Sequence, residues 1–177
     1  VAIMSRTRYE WTLLDFACWA AGLVPVPIYE TSSIDQVAHV LVDADVHLII
    51  TETVSMAEIV RAAAEREGRD NTHVLSLDSE AIDTLIADGA ATPRERVLAR
   101  SEALTKDDIA TIVYTSGTTG TPKGTVLSHE NFTNLCLNAH SWMPEIAAGK
   151  DSRLLLFLPL AHVFARFLQV FQISGNG

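Results

Sequence analysis

Residues 114 to 124 read YTSGTTGTPKG: three glycines, four threonines, a serine, a proline and one lysine in eleven positions, directly after the apolar stretch IATIVY (109–114). Side chains of these types in this order suit an anion. Gly117 and Gly120 can take backbone conformations closed to other residues, which lets successive N–H groups converge on one point. Thr115, Ser116, Thr118 and Thr119 add hydroxyl donors, and each hydrogen bond to a charged oxygen contributes about 1.5–3 kcal/mol. Lys123 supplies a full positive charge. The Walker A loop, G-x-x-x-x-G-K-[ST], fails here at two positions: counting from Gly117, its second glycine falls on Pro122, and Gly124 stands where Ser or Thr is needed. The bland alternative is a surface hairpin with a polar tip. Ten consecutive hydroxyl, glycine, proline or lysine residues at the end of a buried strand favour a phosphate site, placed where open α/β sheets bind ligands.

The elements that must position this loop follow a repeating grammar. WTLLDFACWAAG is helical, with Leu13, Phe16, Ala17 and Ala20 recurring on one face and Gly22 as its stop. LVPVPIY (23–29) is extended, and Pro25 and Pro27 place it at a sheet edge. Ser33 with Gln36 forms a capping box at the head of a helix whose apolar residues Ile34, Val37, Ala38 and Leu41 share one face. VHLIIT is the next strand, Ser55 with Glu58 caps a further helix that ends at Gly68, and HVLSL is a strand again. After a short helix around EAIDTLIA, Thr92 caps another with Pro93 at its first position. IATIVY and RLLLFLP read as interior strands. GTVLSH leads to a helix capped by Ser128, with Phe132, Leu135, Cys136, Ala139 and Met143 on one side, and the last helix lies within HVFARFLQVF. Strand and helix in alternation predict the α/β class: a largely parallel sheet flanked by helices.

Composition narrows the partners. The chain has 177 residues, 22 acidic against 13 basic side chains and a net charge of −9, with a mean hydropathy of +0.20. A polyanion meets a repulsive average field, so nucleic acid is not expected, whereas a small anion can still find a local positive site. Cys18 and Cys136 lie far apart in apolar helical patterns and suggest buried, reduced thiols of a cytoplasmic protein, without a disulfide or zinc pattern. The longest apolar run, LLLFLPLAHVF (154–164), is too short to span a bilayer. The opening VAIMSRTRYE reads as a buried strand entered partway and the closing FQISGNG has no finishing element, so a piece of a longer chain is expected.

YTSGTTGTPKGTVLSHENF resembles the phosphate-loop signature of adenylate-forming enzymes, the superfamily of acyl-CoA synthetases, luciferases and peptide-synthetase adenylation domains. LPLAHVFARF (158–167) is similar to that family's next motif in the form used by long-chain fatty acid–CoA ligases, and VPVPIYETSSIDQVAHVL also resembles that subgroup. The likeness spans nearly the whole chain. It implies an incomplete part of the large N-terminal AMP-binding domain, residues 1–177, with the small C-terminal domain and the adenine and ribose motifs absent.

The resemblance implies ATP, Mg2+, a fatty acid and coenzyme A. A carboxylate is a poor electrophile, and adenylation turns one of its oxygens into a good leaving group before the thiol attacks. Charge on the departing pyrophosphate needs preorganised donors and cations. By similarity, residues Thr115 to Gly120 with Lys123 bind the phosphates, Thr118 is a magnesium-side hydroxyl, and His162 lies by the bound acid and adenylate. Arg166, one turn after His162, is either on the same face or a solvated or paired surface arginine. His129 braces the loop, and His39, His47, His73 and His140 are ordinary structural histidines. The segment alone is expected to be inactive and to self-associate through exposed apolar surface, and the parent protein to make peripheral membrane contact. An adenylate-forming enzyme for another carboxylic acid and a non-catalytic nucleotide-binding module are the alternatives.

Overall fold

The computed structural model describes residues 1–115, 121–142 and 153–174. Four short strands, β1 (Ala2–Met4), β2 (Val26–Ile28), β3 (Leu48–Thr51) and β4 (His73–Ser76), pair in parallel in the order β2-β1-β3-β4. The register sets Ile3 against Pro27 on one side and Ile50 on the other. Between them run α1 (Tyr9–Ala20), α2 (Ile34–Asp43) and α3 (Val54–Arg66), so the expected α/β architecture is present.

Strand alternation sorts the core into two layers. Ala2, Met4, Val26, Ile28 and Ile49 face α2 and α3, packing on Val37, Leu41, Val60 and Ala63. Ile3 and Ile50 point the other way, onto Trp11 and Leu14 of α1 and Leu160. Helix ends obey local chemistry. Ser33 and Gln36 exchange both bonds of a capping box. Gly22 (φ +67°) follows α1 as the left-handed residue of a Schellman turn, in which the Leu23 N–H reaches the Cys18 carbonyl at 2.8 Å.

Several boundaries differ from expectation. α3 begins at Val54 because the Thr53 hydroxyl, not Ser55, accepts the Met56 N–H. After α4 (Ala81–Gly89), α5 (Arg94–Glu102) has Pro93 as its N-cap at ψ 138°, extended and outside the first turn, so Thr92 caps nothing. The buried face of α1 is Trp11, Leu14, Asp15 and Cys18, while Leu13 is exposed. The helical spacing was right and its phase was wrong. In the apolar run RLLLFLP, residues 153–158 form no ladder among the described residues. Leu156 and Leu158 pack on the α1 side of the core, but Leu155 is 84% and Phe157 77% exposed, so one face only is covered.

IATIVY is a strand, β5 (Ile109–Thr115), but it pairs antiparallel with β6 (Lys123–Ser128) and lies outside the parallel ladder. The hairpin is held beside the edge strand by the Thr111 hydroxyl, which donates to the Pro25 carbonyl at 2.7 Å. α6 (His129–Trp142) follows at once, and α7 (Val163–Ser174) packs against it through Phe171, Cys136 and Ala139. Met143, expected on the α6 inner face, lies outside the described residues. Both cysteines are free and buried, and burial pushes the Cys18 thiol up to about 11. Among the described residues no helix is long and apolar enough to cross a membrane.

At the carboxyl ends of β1 and β3 the Arg6 guanidinium and backbone N–H both bond the Glu52 carboxylate. That pairing holds the Glu52 carboxyl below its ordinary value of 4.5. A carboxyl depressed in the folded state contributes stability above its unfolded pKa and loses it as pH falls through the folded one. The gap in melting temperature between wild type and Glu52→Gln should therefore be widest above about pH 5 and close toward pH 2, as melts across that range will show. A gap that does not narrow on acidification would sink this assignment.

Candidate functional site

A cleft of about 500 Å3 opens at the carboxyl ends of β2 and β5. Ile28 and Tyr29 leave β2 on one wall, and Gln36 and Val40 of α2 form its side. Tyr114 and Thr115 end β5 on the other wall, where Pro122 and His162 complete the rim. The topology explains the convergence: β5 and α7 come from distant sequence, and both deliver a terminus to the same edge.

Of the residues singled out from sequence, the structure brings Thr115 and His162 to this cleft. Lys123 opens β6 directly across from Thr115 in the hairpin register and is exposed, with no ion pair to any described residue. Ser116, Gly117, Thr118, Thr119 and Gly120 lie outside the described residues. The segment 116–122 joins two antiparallel strands. That is the topology of a hairpin, and it differs from the strand-to-helix connection of a Walker A loop.

His162 is exposed and precedes α7, where its Nδ1 accepts the backbone N–H of Phe164 at 3.3 Å. The ring thus caps the helix, and in its neutral form the proton rests on Nε2. Tyr114 donates its hydroxyl to Asp43 Oδ2 at 2.6 Å, and burial with this carboxylate pushes the phenol well above its ordinary range. Gly124 faces Tyr114 in register: a Cβ there would come within 2.9 Å of Ile112 Cγ2 and 3.2 Å of Tyr114 Cζ. Glycine leaves room for the tyrosine ring.

One expectation needs correction. Arg166 is neither a surface side chain nor a lining of the cleft: it is fully buried. Its guanidinium bonds both oxygens of Asp15, at 3.2 and 2.6 Å, and donates to the Thr111 hydroxyl. It also sits 5.5 to 5.7 Å from the ring centroids of Trp11, Trp19 and Phe132. Gln169 adds a further donor to Asp15, and burial pushes that carboxyl up against the pull of Arg166. The signal that could have found this pair is an acid inside the apolar LLDFACWA and a base inside FARFLQV, since a buried charge needs a partner. Among the described residues, His129 sits at the base of the hairpin. It packs edge-on to Trp19 at 5.5 Å, whose indole N–H donates to the Ala110 carbonyl, and burial lowers its pKa. His47 and His73 are exposed.

The sequence profile described as AMP-binding enzyme matches residues 1–177. The chain belongs to the AMP-binding enzyme family. It is 43% identical over 175 residues to the long-chain-fatty-acid–CoA ligase FadD15 of Mycobacterium bovis, an alignment covering 96% of this chain and 28% of that one. The long chain acyl-CoA synthetase 7, peroxisomal, of Arabidopsis thaliana is 34% identical, with 99% of this chain and 26% of the relative covered. The chain therefore spans about a quarter of the length of these ligases. Among solved structures, the inhibitor-bound N-terminal domain of FACL13 from Mycobacterium tuberculosis superposes with a TM-score of 0.73 at 28% identity, covering 99% of this chain and 42% of that one. ATP-bound MatB from Rhodopseudomonas palustris gives 0.72 at 24% identity, with 99% and 34% covered, and at that identity it speaks for the fold alone.

Proposed function

We propose that this chain is part of the N-terminal adenylation domain of an AMP-forming long-chain fatty acid–CoA ligase, and that its cleft holds the reacting ends of ATP and the fatty acid. One observation carries the reading: Thr115, Pro122 and His162 line a single cleft at the carboxyl edge of β2 and β5, and Lys123 stands next to Pro122, paired with Thr115. The long-chain fatty acid is supported by the ligases to which the chain is similar.

In the reaction a carboxylate oxygen attacks the α-phosphorus of ATP and the bond to the β-phosphate oxygen breaks, giving acyl-AMP and pyrophosphate. The sulfur of coenzyme A then attacks the acyl carbon and AMP leaves. Thr115 and the loop that follows it bind the β- and γ-phosphates, Thr118 and Lys123 among them, and Lys123 balances the charge that gathers on pyrophosphate. His162, held by its Nδ1 at the head of α7, presents Nε2–H to the oxygens of the acid and the adenylate. Among the described residues no group of three His, Cys, Asp or Glu could enclose a metal ion. Hard donors of the Thr118 type fit magnesium bound chiefly by the triphosphate, where it would neutralise phosphate charge.

The test is ATP–pyrophosphate exchange by the ligase-length protein containing these residues, with fatty acids of 8 to 18 carbons (roughly the span over which buried chain area separates affinities) set against malonate and amino acids. Exchange driven by long-chain acids supports the assignment, exchange driven only by another acid class overturns the substrate, and none with any acid overturns the activity. His162→Ala should lower kcat by about 10- to 100-fold, the loss of one hydrogen bond to a charged oxygen. This segment assayed alone is expected to give no exchange.

A further inference from the structure

Helix α2 touches the hairpin at both of the strand ends that flank residues 116–122. His39 Nε2 lies 2.8 Å from the Pro122 carbonyl oxygen, and since a carbonyl only accepts, the ring donates there. One helical turn later Asp43 accepts the Tyr114 hydroxyl at 2.6 Å. The two points are coupled, because the His39 ring stands edge-on to the Tyr114 ring at 5.8 Å and 86°. Gly124 leaves the space in which that tyrosine lies. A single turn of α2 thus grips the residue before Thr115 and the residue before Lys123.

Thr115 with Lys123 is the last ladder pair before the connection and has a ladder neighbour on one side only, so the two-stranded ladder alone holds it weakly. A site that must meet developing charge needs its donors held to within about 0.5 Å by groups that are themselves fixed. α2 is such a group: its capping box closes one end, and Val37, Ala38 and Leu41 seat it in the core. We propose that His39 is a positioning residue for adenylation, fixing the Pro122–Lys123 step through its Nε2–H while the Asp43–Tyr114 bond fixes the opposite strand. The bond forms with the ring in its Nε2–H neutral tautomer or protonated. This proposal rests on the phosphate-binding reading of residues 115–123.

The ligase-length protein is assayed by ATP–pyrophosphate exchange with MgATP and fatty acid varied in turn, and each variant is melted alongside. His39→Ala should raise the KM for MgATP by about 10-fold, one hydrogen bond of roughly 1.4 kcal/mol, and leave the KM for fatty acid within about two-fold. His39→Gln keeps an N–H donor and should recover most of that loss. His39→Phe keeps a ring against Tyr114 without the donor, and should behave as His39→Ala does. If the alanine variant does not fold, the Gln and Phe pair carries the comparison. Wild-type KM for MgATP in His39→Phe overturns the proposal, as does a loss that His39→Gln fails to repair. Lys123→Ala in the same assay separates the two layers: if it is impaired while the His39 variants are normal, the clamp fails and the phosphate reading stands. If neither changes exchange, the phosphate reading fails and the clamp with it.

Discussion

Lys123→Ala is expected to lower ATP–pyrophosphate exchange of the ligase-length protein by about 100-fold or more, while the melting temperature stays within about 2 °C of wild type. The two halves of that result have separate causes. Lys123 opens β6 opposite Thr115, exposed and without an ion pair to any described residue. Removing its ammonium group strands no buried partner, so the fold should not register the change. The departing pyrophosphate, by contrast, loses the one full cation of the loop at the moment its charge develops. Lys123→Arg keeps the charge but moves it onto a larger planar fork, and should fall between the two. Unchanged exchange in Lys123→Ala would remove the electrostatic role assigned here. A large fall in melting temperature would mean that the lysine is structural.

The second large effect concerns stability. Arg166→Ala should destabilise the protein by about 3–5 kcal/mol, read as a lower urea midpoint, because it leaves the Asp15 carboxyl buried with no countercharge. Asp15 and Arg166 are each fully buried and the guanidinium also donates to Thr111, so its loss removes a hydrogen-bond donor from that hydroxyl as well as the countercharge from Asp15. Asp15→Asn should lose a similar amount. An apolar double replacement, Asp15→Leu with Arg166→Met, should lose much less than the two single losses added together. A single variant within about 1 kcal/mol of wild type would show that the charges find other partners.

The parallel sheet was legible because its elements announce themselves locally. Pro25 and Pro27 mark β2 as an edge, Ser33 and Gln36 satisfy each other within four residues, and Gly22 takes the left-handed turn that ends α1. Non-local features were not. Nothing in IATIVY says that its partner is the strand just ahead and antiparallel, since β5 would look the same inside the main sheet. RLLLFLP announces a wish for burial without naming the surface that grants it, and the described residues cover one side only. The α1 phase was misread for a related reason: the helix turns inward the face that holds an acid, which makes sense only once an arginine 151 residues away is known. For the site, Thr115 and His162, singled out by motif, line the cleft, whereas His39 and Asp43 carried no signal, because their partners are a carbonyl and a phenol on another element.

The separation between Asp15 and Arg166 carries a consequence for synthesis. The first four strands pair with near neighbours, so that unit can assemble while the chain is still emerging from the ribosome. Asp15 leaves the ribosome with it but must wait for a base 151 positions later. Until then, docking α1 would bury the carboxyl without its base, at a cost that weakens the docking. The arrival of α7 is what lets α1 seat its acid.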